Sequence, residues 1–297
     1  MKYKYRGGKM NKISVVLMVY NRKEYYREAL DSLKEQSDRD FELIIVSNIP
    51  IDYDLSAFKG VQVIASPDSI LEGYLAGMLA AGGDVVAFLD DDDKFALYKI
   101  SYLKNSNIDG YFHNNFYDFG SKEAHNNGKG FNASCIAVNK WAYAGLPALS
   151  KYYPGIGYMP DSAIYWYALE NNLPVNTDNS AYLTFYRHKP MKQLYSNLHK
   201  SSMRQMQALE EAGKAFKSDK VTDIIREGTI QNQLYLNSLG YYKKIPLYDM
   251  FWLMGRPVIQ KKAKLVSYLL SLPVWHGMGI ALINSIRNKK VVENDTE

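Results

Sequence analysis

The chain has 297 residues, 47% of them hydrophobic and 23% charged; this suits one large domain, or a domain with an appendage, and excludes a disordered chain. A single cysteine, Cys135, excludes an internal disulfide and points to a reducing compartment. The net charge of +5 is too small and too scattered for a nucleic-acid binder, and the dense basic runs and recognition motifs of that class are missing.

Residues 1–10, MKYKYRGGKM, are basic without the apolar run of a signal peptide and are expected to be a flexible tail. Residues 13–20, ISVVLMVY, form a continuous apolar run that predicts a strand covered on both faces. Asn21, with Glu24 three residues later, predicts a helix cap, and Tyr26, Ala29, Leu30 and Leu33 supply the apolar stripe that follows. Phe41–Val46 and Val61–Ala65 are the next expected strands, the first ended by Ser47-Asn48. A helix is expected from near Asp68, with Leu71, Leu75, Met78 and Leu79 on its apolar side and Gly82-Gly83 as its stop. Val85–Leu89 is a fourth buried strand that runs straight into Asp90-Asp91-Asp92-Asp93.

Alternation of strand and helix over these residues implies an α/β domain with a mainly parallel central sheet flanked by helices. Such sheets bind ligands outside the carboxyl ends of their strands. That rule places Tyr20, Asn21, Arg22, Ser47, Asn48 and the aspartate run on one rim.

Beyond residue 110 the pattern loosens. Gly110–Phe119 and Asn132–Val138 read as strands, Asp161–Asn171 as a helix opened by Pro160, and Tyr182–Tyr186 as a last strand before Arg187-His188. The expected catalytic domain is residues 11–190, and residues 191–297 form a helical C-terminal region with helices near Leu198–Phe216 and Val221–Leu239. From Tyr241 onward nine Lys or Arg stand against four Asp or Glu. The stretch Val266–Ile286, broken by Pro273, Gly277 and Gly279, is a marginal membrane span. An interfacial helix at an anionic membrane surface and a helix packed on the catalytic domain both fit it.

The aspartate run carries the chemistry. Clustered carboxylates at a binding rim repel one another unless a cation joins them. Hard divalent ions that share phosphate oxygens need only one or two protein carboxylates. Asp90 and Asp92, two apart on an extended segment, face the same side, which suits a diphosphate–metal site.

These pieces together resemble family 2 glycosyltransferases of the GT-A fold. The resemblance rests on Val19-Tyr20-Asn21-Arg22, on Ser32-Leu33-Lys34-Glu35-Gln36, on Glu42–Val46 and on Gly83–Asp93 with its Phe88-Leu89-Asp90 core. It is close over the first third of the chain and looser as far as His188. It implies that Tyr20 stacks on the nucleobase, with Asn21, Arg22, Ser47, Asn48 and Asp91 near the donor. Asp90 would contact the ribose or a metal-bound water, and Asp92 would ligate Mn2+ or Mg2+, with His188 as a further ligand for the metal or a phosphate. Asp161 would be the general base, and transfer would proceed with inversion.

The implied partners are a nucleotide-sugar donor, UDP-linked by preference, and a glycan or lipid-linked acceptor of the cell envelope. The implied location is cytoplasmic, at the inner face of the membrane where the C-terminal region attaches. Five positions, in three places, depart from the family pattern. Ser47 and Asn48 stand where base-recognising Asp residues are usual, Tyr74 and Leu75 where a donor-facing Arg-Asn pair is usual, and Pro160 where a Glu precedes the base. These departures leave a second reading open, a catalytically degenerate GT-A-like module that binds a glycan or a partner. An aspartate-nucleophile phosphatase is disfavoured by Lys94 and by the run's position at residue 90.

Overall fold

The computed structural model describes residues 11–67, 69–118, 123–125, 132–187 and 198–238. The expected tail, His188 and the apolar stretches after residue 240 lie outside the described residues. Strands β1 (Ile13–Val19), β2 (Glu42–Ser47), β3 (Gln62–Ala65) and β4 (Val85–Asp90) pair in parallel in the order β3-β2-β1-β4. Helices α1 (Tyr26–Lys34) and α2 (Ile70–Ala80) make the crossovers. This is the half that alternation predicted.

The sheet then continues with mixed pairing. β8 (Ile136–Asn139) runs antiparallel to β4, followed by β6 (Tyr111–Asp118), β9 (Val175–Tyr186) and the two-residue β5 (Lys94–Phe95). β7 (Glu123–His125) pairs with the end of β6. Helices α3 (Lys99–Asn105), α4 (Leu146–Tyr152) and α5 (Pro160–Glu170) complete the layers, and α6 (Leu198–Ala215) and α7 (Asp219–Ser238) follow.

All seven residues of β1 are buried. Ile13, Val15, Leu17 and Val19 face α1 and α3, while Val16 and Met18 face α2. A strand covered on both faces has no polar side to show, so its sequence is continuous rather than alternating. Each buried Val or Leu contributes ~1.5–3 kcal/mol.

Helices α6 and α7 share the core of the sheet. Leu209, Ala212, Phe216, Val221 and Ile225 belong to the same cluster as Val16 and Trp166, and Trp166 meets Phe216 edge-on at 6.1 Å. The change in character after residue 190 is therefore a change of secondary structure within one packed body. Among the described residues no helix is long and apolar enough to cross a membrane.

Several local expectations need correction. Asn21 does not cap α1, which begins at Tyr26 with Tyr25 as an N-cap that makes no side-chain cap bond. Asn21 instead adopts a left-handed backbone, φ 59°, which Asn tolerates better than most residues. Leu79, expected on the buried stripe of α2, is 62% exposed, while Gly73, Tyr74 and Gly77 take the buried side with Leu71, Leu75 and Met78. The expected stripe has the right face in Leu71, Leu75 and Met78 and misses it only at Leu79, because α2 lies so close to the sheet that glycines share that face. The segment 132–138 opens with a single 3-10 turn, Ala133–Cys135, and only Ile136–Asn139 is strand.

The close approach of α2 makes a prediction. A Cβ at Gly77 would lie 2.4 Å from Val16 Cγ1 and 3.1 Å from Val46 Cγ2. Gly77→Ala gains about 1 kcal/mol of helix propensity but overpacks against β1, which β2 and β4 clamp on both sides and which cannot retreat. The steric cost wins, and a net loss of about 1–2 kcal/mol is expected. It will appear as a lower urea midpoint with an unchanged slope.

Candidate functional site

The carboxyl ends of β1, β2 and β4 meet at one rim. Met18 pairs with Asp90 and Val19 with Ser47 in register, so Tyr20–Arg22, Ser47-Asn48 and the aspartates arrive together as the open-sheet rule requires. Asp90 ends β4, and the chain then turns, closed by the Asp93 N–H donating to the Asp90 carbonyl at 3.2 Å. The turn brings oxygens of Asp90, Asp92 and Asp93 within 4.8 Å of one another. Alternation along an extended segment, the basis of the sequence reading, is therefore not what pairs Asp90 with Asp92. The turn also recruits Asp93, which that reading passed over.

The four aspartates have different jobs. Asp91 is fully buried; its Oδ2 accepts the Tyr20 N–H at 3.1 Å, and its other oxygen pairs with Arg22. Expected near the donor, its side chain is instead turned inward, where it ties β4 to the loop after β1. Burial pushes its pKa up to about 6 despite the guanidinium. Asp92, by contrast, is paired with the same Arg22 at the rim. Asp93 is 1% exposed; its Oδ1 accepts the Arg187 N–H at 3.0 Å, and its Oδ2 has no hydrogen-bond partner. Burial first, then the charge of Asp90, pushes Asp93 up to about 8.

A buried polar cluster sits beneath this turn. Lys99 of α3 is fully buried, and its Nζ donates to the Ser134 carbonyl at 2.5 Å and to Thr184 Oγ1 at 3.0 Å. Burial pushes its pKa down to about 7. Ser134 Oγ in turn accepts the Asp90 N–H at 2.9 Å. A buried lysine thus reaches the aspartate turn through one serine, a relation no local pattern announces.

The remaining expected residues divide into two groups. Asn21 and Asn48 make a reciprocal pair at the rim: the Asn21 N–H donates to Asn48 Oδ1 and Asn48 Nδ2 donates to Asn21 Oδ1, each at 2.9 Å. Ser47 is 7% exposed, and its hydroxyl donates to the Ile49 carbonyl at 2.6 Å and accepts the Ile49 N–H at 3.1 Å. Its side chain shapes the turn after β2. Arg187, beside the expected His188, reaches back to the rim. It donates to Glu28 at 2.6 Å and to the Asp92 carbonyl at 3.3 Å, and its guanidinium lies 4.9 Å from the Tyr25 ring centre.

Asp161 opens α5 one residue inside the helix, after Met159 as N-cap and Pro160. Its Oδ1 accepts the Ser162 N–H at 3.3 Å, so it is not itself the cap. Burial of its carboxyl, then the charge of Asp90, pushes its pKa up to about 7. The charge of Asp90 thus acts on the expected base. A carboxylate poised near neutrality suits proton abstraction.

Among the described residues a separate cleft of about 360 Å³ is lined by Leu149, Tyr152, Tyr167 and Phe216, with Glu170 and Asn171. It contains none of the rim residues.

Against this geometry, residues 14–111 match the profile of Glycosyl transferase family 2. Over that stretch, about a third of the chain, the sequence is similar to family 2 glycosyltransferases. Similar proteins include an uncharacterised glycosyltransferase of a Nostoc species, 32% identical over 34% of this chain and 36% of its own length. Another is the GalNAc(5)-diNAcBac-PP-undecaprenol beta-1,3-glucosyltransferase of Campylobacter jejuni, 28% identical over 35% of this chain and 37% of its own. A third is a teichoic acid poly(glycerol phosphate) polymerase of Staphylococcus epidermidis, 30% identical over 34% of this chain and 16% of its own. The chain thus matches little more than a third of these curated relatives, or less.

The likeness to solved structures is broader. A fragment of S. aureus TarS in complex with UDP-GlcNAc superposes with TM-score 0.54 at 14% identity, covering 88% of this chain and 82% of that one. A mannosyltransferase of Pyrobaculum calidifontis in complex with GDP-Man and Mn2+ superposes with TM-score 0.54 at 12% identity, covering 93% and 87%. At such identities the likeness establishes the fold, which is GT-A in kind.

Proposed function

We propose that this chain is an inverting, metal-dependent glycosyltransferase that moves a sugar from a nucleoside diphosphate to an acceptor hydroxyl. The observation that carries the reading is the meeting of the Asp90, Asp92 and Asp93 oxygens within 4.8 Å of one another, together with an Asp161 whose pKa is pushed up to about 7 by burial and then by the charge of Asp90.

The donor set fits a hard divalent cation such as Mn2+ or Mg2+. Asp93 Oδ2 is a buried acceptor with no hydrogen-bond partner, and burial, then the charge of Asp90, pushes the Asp93 pKa up; a cation among these carboxylates would relieve both. Asp90, Asp92 and Asp93 would hold it, and when bound it supplies Lewis-acid neutralisation of charge on the diphosphate. Arg22 and Arg187, already at the rim, are the protein's own cations for that charge. Tyr20 offers a ring for the base. Asp161 takes the proton from the acceptor hydroxyl, whose oxygen attacks the anomeric carbon. The bond from that carbon to the diphosphate breaks with its electron pair going to the leaving oxygen, and attack from the opposite face inverts the centre.

A UDP-linked donor is favoured because the TarS fragment of this fold holds UDP-GlcNAc, although the mannosyltransferase holds GDP-Man. Partial relatives that act on an undecaprenol-linked glycan and on teichoic acid support a cell-envelope acceptor. The basic C-terminal region, with nine Lys or Arg from Tyr241 onward, supports attachment at the cytoplasmic face of the membrane.

The test is the melting temperature with UDP or GDP, each with Mn2+ or with EDTA. A ligand bound at a hundred times its dissociation constant adds about 2.7 kcal/mol to the folded state. A rise with one nucleotide only, and only with Mn2+, is expected. The absence of any rise would move the chain to the degenerate binding module that the drift at Ser47, Asn48 and Tyr74 left open.

A further inference from the structure

Tyr74 lies in the middle of α2 and is 1% exposed, with its ring edge-on to Phe88 at 5.0 Å. Its hydroxyl donates to Asp90 Oδ1. The neutral phenol thus donates its one proton to this carboxylate.

The aspartates of the turn are held by two different chemistries. Asp91 and Asp92 are held by the guanidinium of Arg22, which satisfies them by cancelling charge. Asp90, whose charge also acts on Arg22, meets two neutral groups: Tyr74 donates to its carboxylate, and Ser134 Oγ accepts its N–H. A cationic side chain at position 74 would form a buried ion pair with Asp90 and remove one negative charge from the cluster that is to receive a cation. A phenol orients the carboxylate and leaves its charge in place. Tyr74 also has two side-chain torsions and a fully packed ring, so it holds the hydroxyl at one point.

We propose that Tyr74 is a positioning residue of the donor site, whose hydroxyl fixes the Asp90 carboxylate for cation binding with Asp92 and Asp93 without neutralising it. The inference rests on the transferase reading and goes beyond it by assigning a role to a position where the family's usual cation is missing.

The experiment compares the wild-type chain with Tyr74→Phe, which deletes one O–H and keeps the ring on Phe88. Mn2+ is titrated alone and with UDP, and free Mn2+ is read by EPR, with the melting temperature in EDTA as the measure of the fold. A hydrogen bond to a charged group is worth about 1.5–3 kcal/mol, so Mn2+ affinity in the variant should fall about 10- to 100-fold. The melting temperature in EDTA should stay within a few degrees. A merely structural hydroxyl would lower the melting temperature and leave Mn2+ affinity unchanged, and that result overturns the proposal. Equal affinities in both proteins overturn it as well, with the transferase reading intact. If the wild-type chain itself binds no Mn2+ with UDP, the transferase reading falls and takes this inference with it.

Discussion

Replacing Asp161 with Asn is expected to lower the rate of sugar transfer about 10²–10⁴-fold, the usual contribution of a positioned base, while UDP and Mn2+ still bind. The amide keeps the shape and the contact with the Ser162 N–H side of the helix but cannot take a proton. The wild-type rate should also depend on pH with a definite sign. As the proposed base, Asp161 would work only when deprotonated, and its pKa is raised to about 7, first by burial and second by the charge of Asp90. Activity therefore falls as pH drops through this range. A cation on Asp90 offsets the second cause, so the acid limb of the loaded enzyme should lie at or below pH 7. The profile of kcat/KM against pH, measured for both proteins, checks the assignment. Transfer by Asp161→Asn at the wild-type rate would place the base elsewhere.

Asp92→Ala should remove the Mn2+-dependent stabilisation by nucleotide, about 2.7 kcal/mol at a hundredfold ligand excess, and with it the transfer activity. Its effect on the metal-free fold has the opposite sign from an ordinary truncation. Asp92 stands beside Asp90 and Asp93, and its charge is among those that raise the pKa of Asp93. Removing it relieves repulsion, while Arg22 keeps its pairing with the buried Asp91. The melting temperature in EDTA should therefore stay level or rise as the ligand response disappears. A variant that melts lower in EDTA but still responds to UDP and Mn2+ would show that Asp92 is a structural partner of Arg22 and not a metal ligand.

The two predictions test residues of different legibility. Asp92 could be named from the chain because an apolar strand running into acidic residues is a local pattern, and the carboxyl ends of parallel strands are where ligands bind. Asp161 could be named only through resemblance, since nothing within its own helix distinguishes a base from an N-terminal acidic residue. Asp93 is not legible from the chain because an extended run aligns residues two apart, whereas the backbone turns at Asp90 and brings residues three apart together. Tyr74 had been marked only as a departure from a usual cation. Its hydrogen bond to Asp90 spans 16 residues of sequence and depends on how deeply α2 settles on the sheet. Ser134 and Lys99 are further removed, at 44 and 35 residues from the groups they bind.

The sequence by itself determined the parallel half of the sheet, its helical crossovers and the rim where the aspartates gather. Those features follow from runs and periods of apolar residues within a single element, and burial acts on each element in the same way wherever it lies. Only the tertiary structure decided which aspartate faces inward, which joins the ligand cluster, and which neutral or charged group holds each one. Those choices depend on contacts between elements far apart in the chain, where a turn of the backbone or the depth of one helix selects the partner.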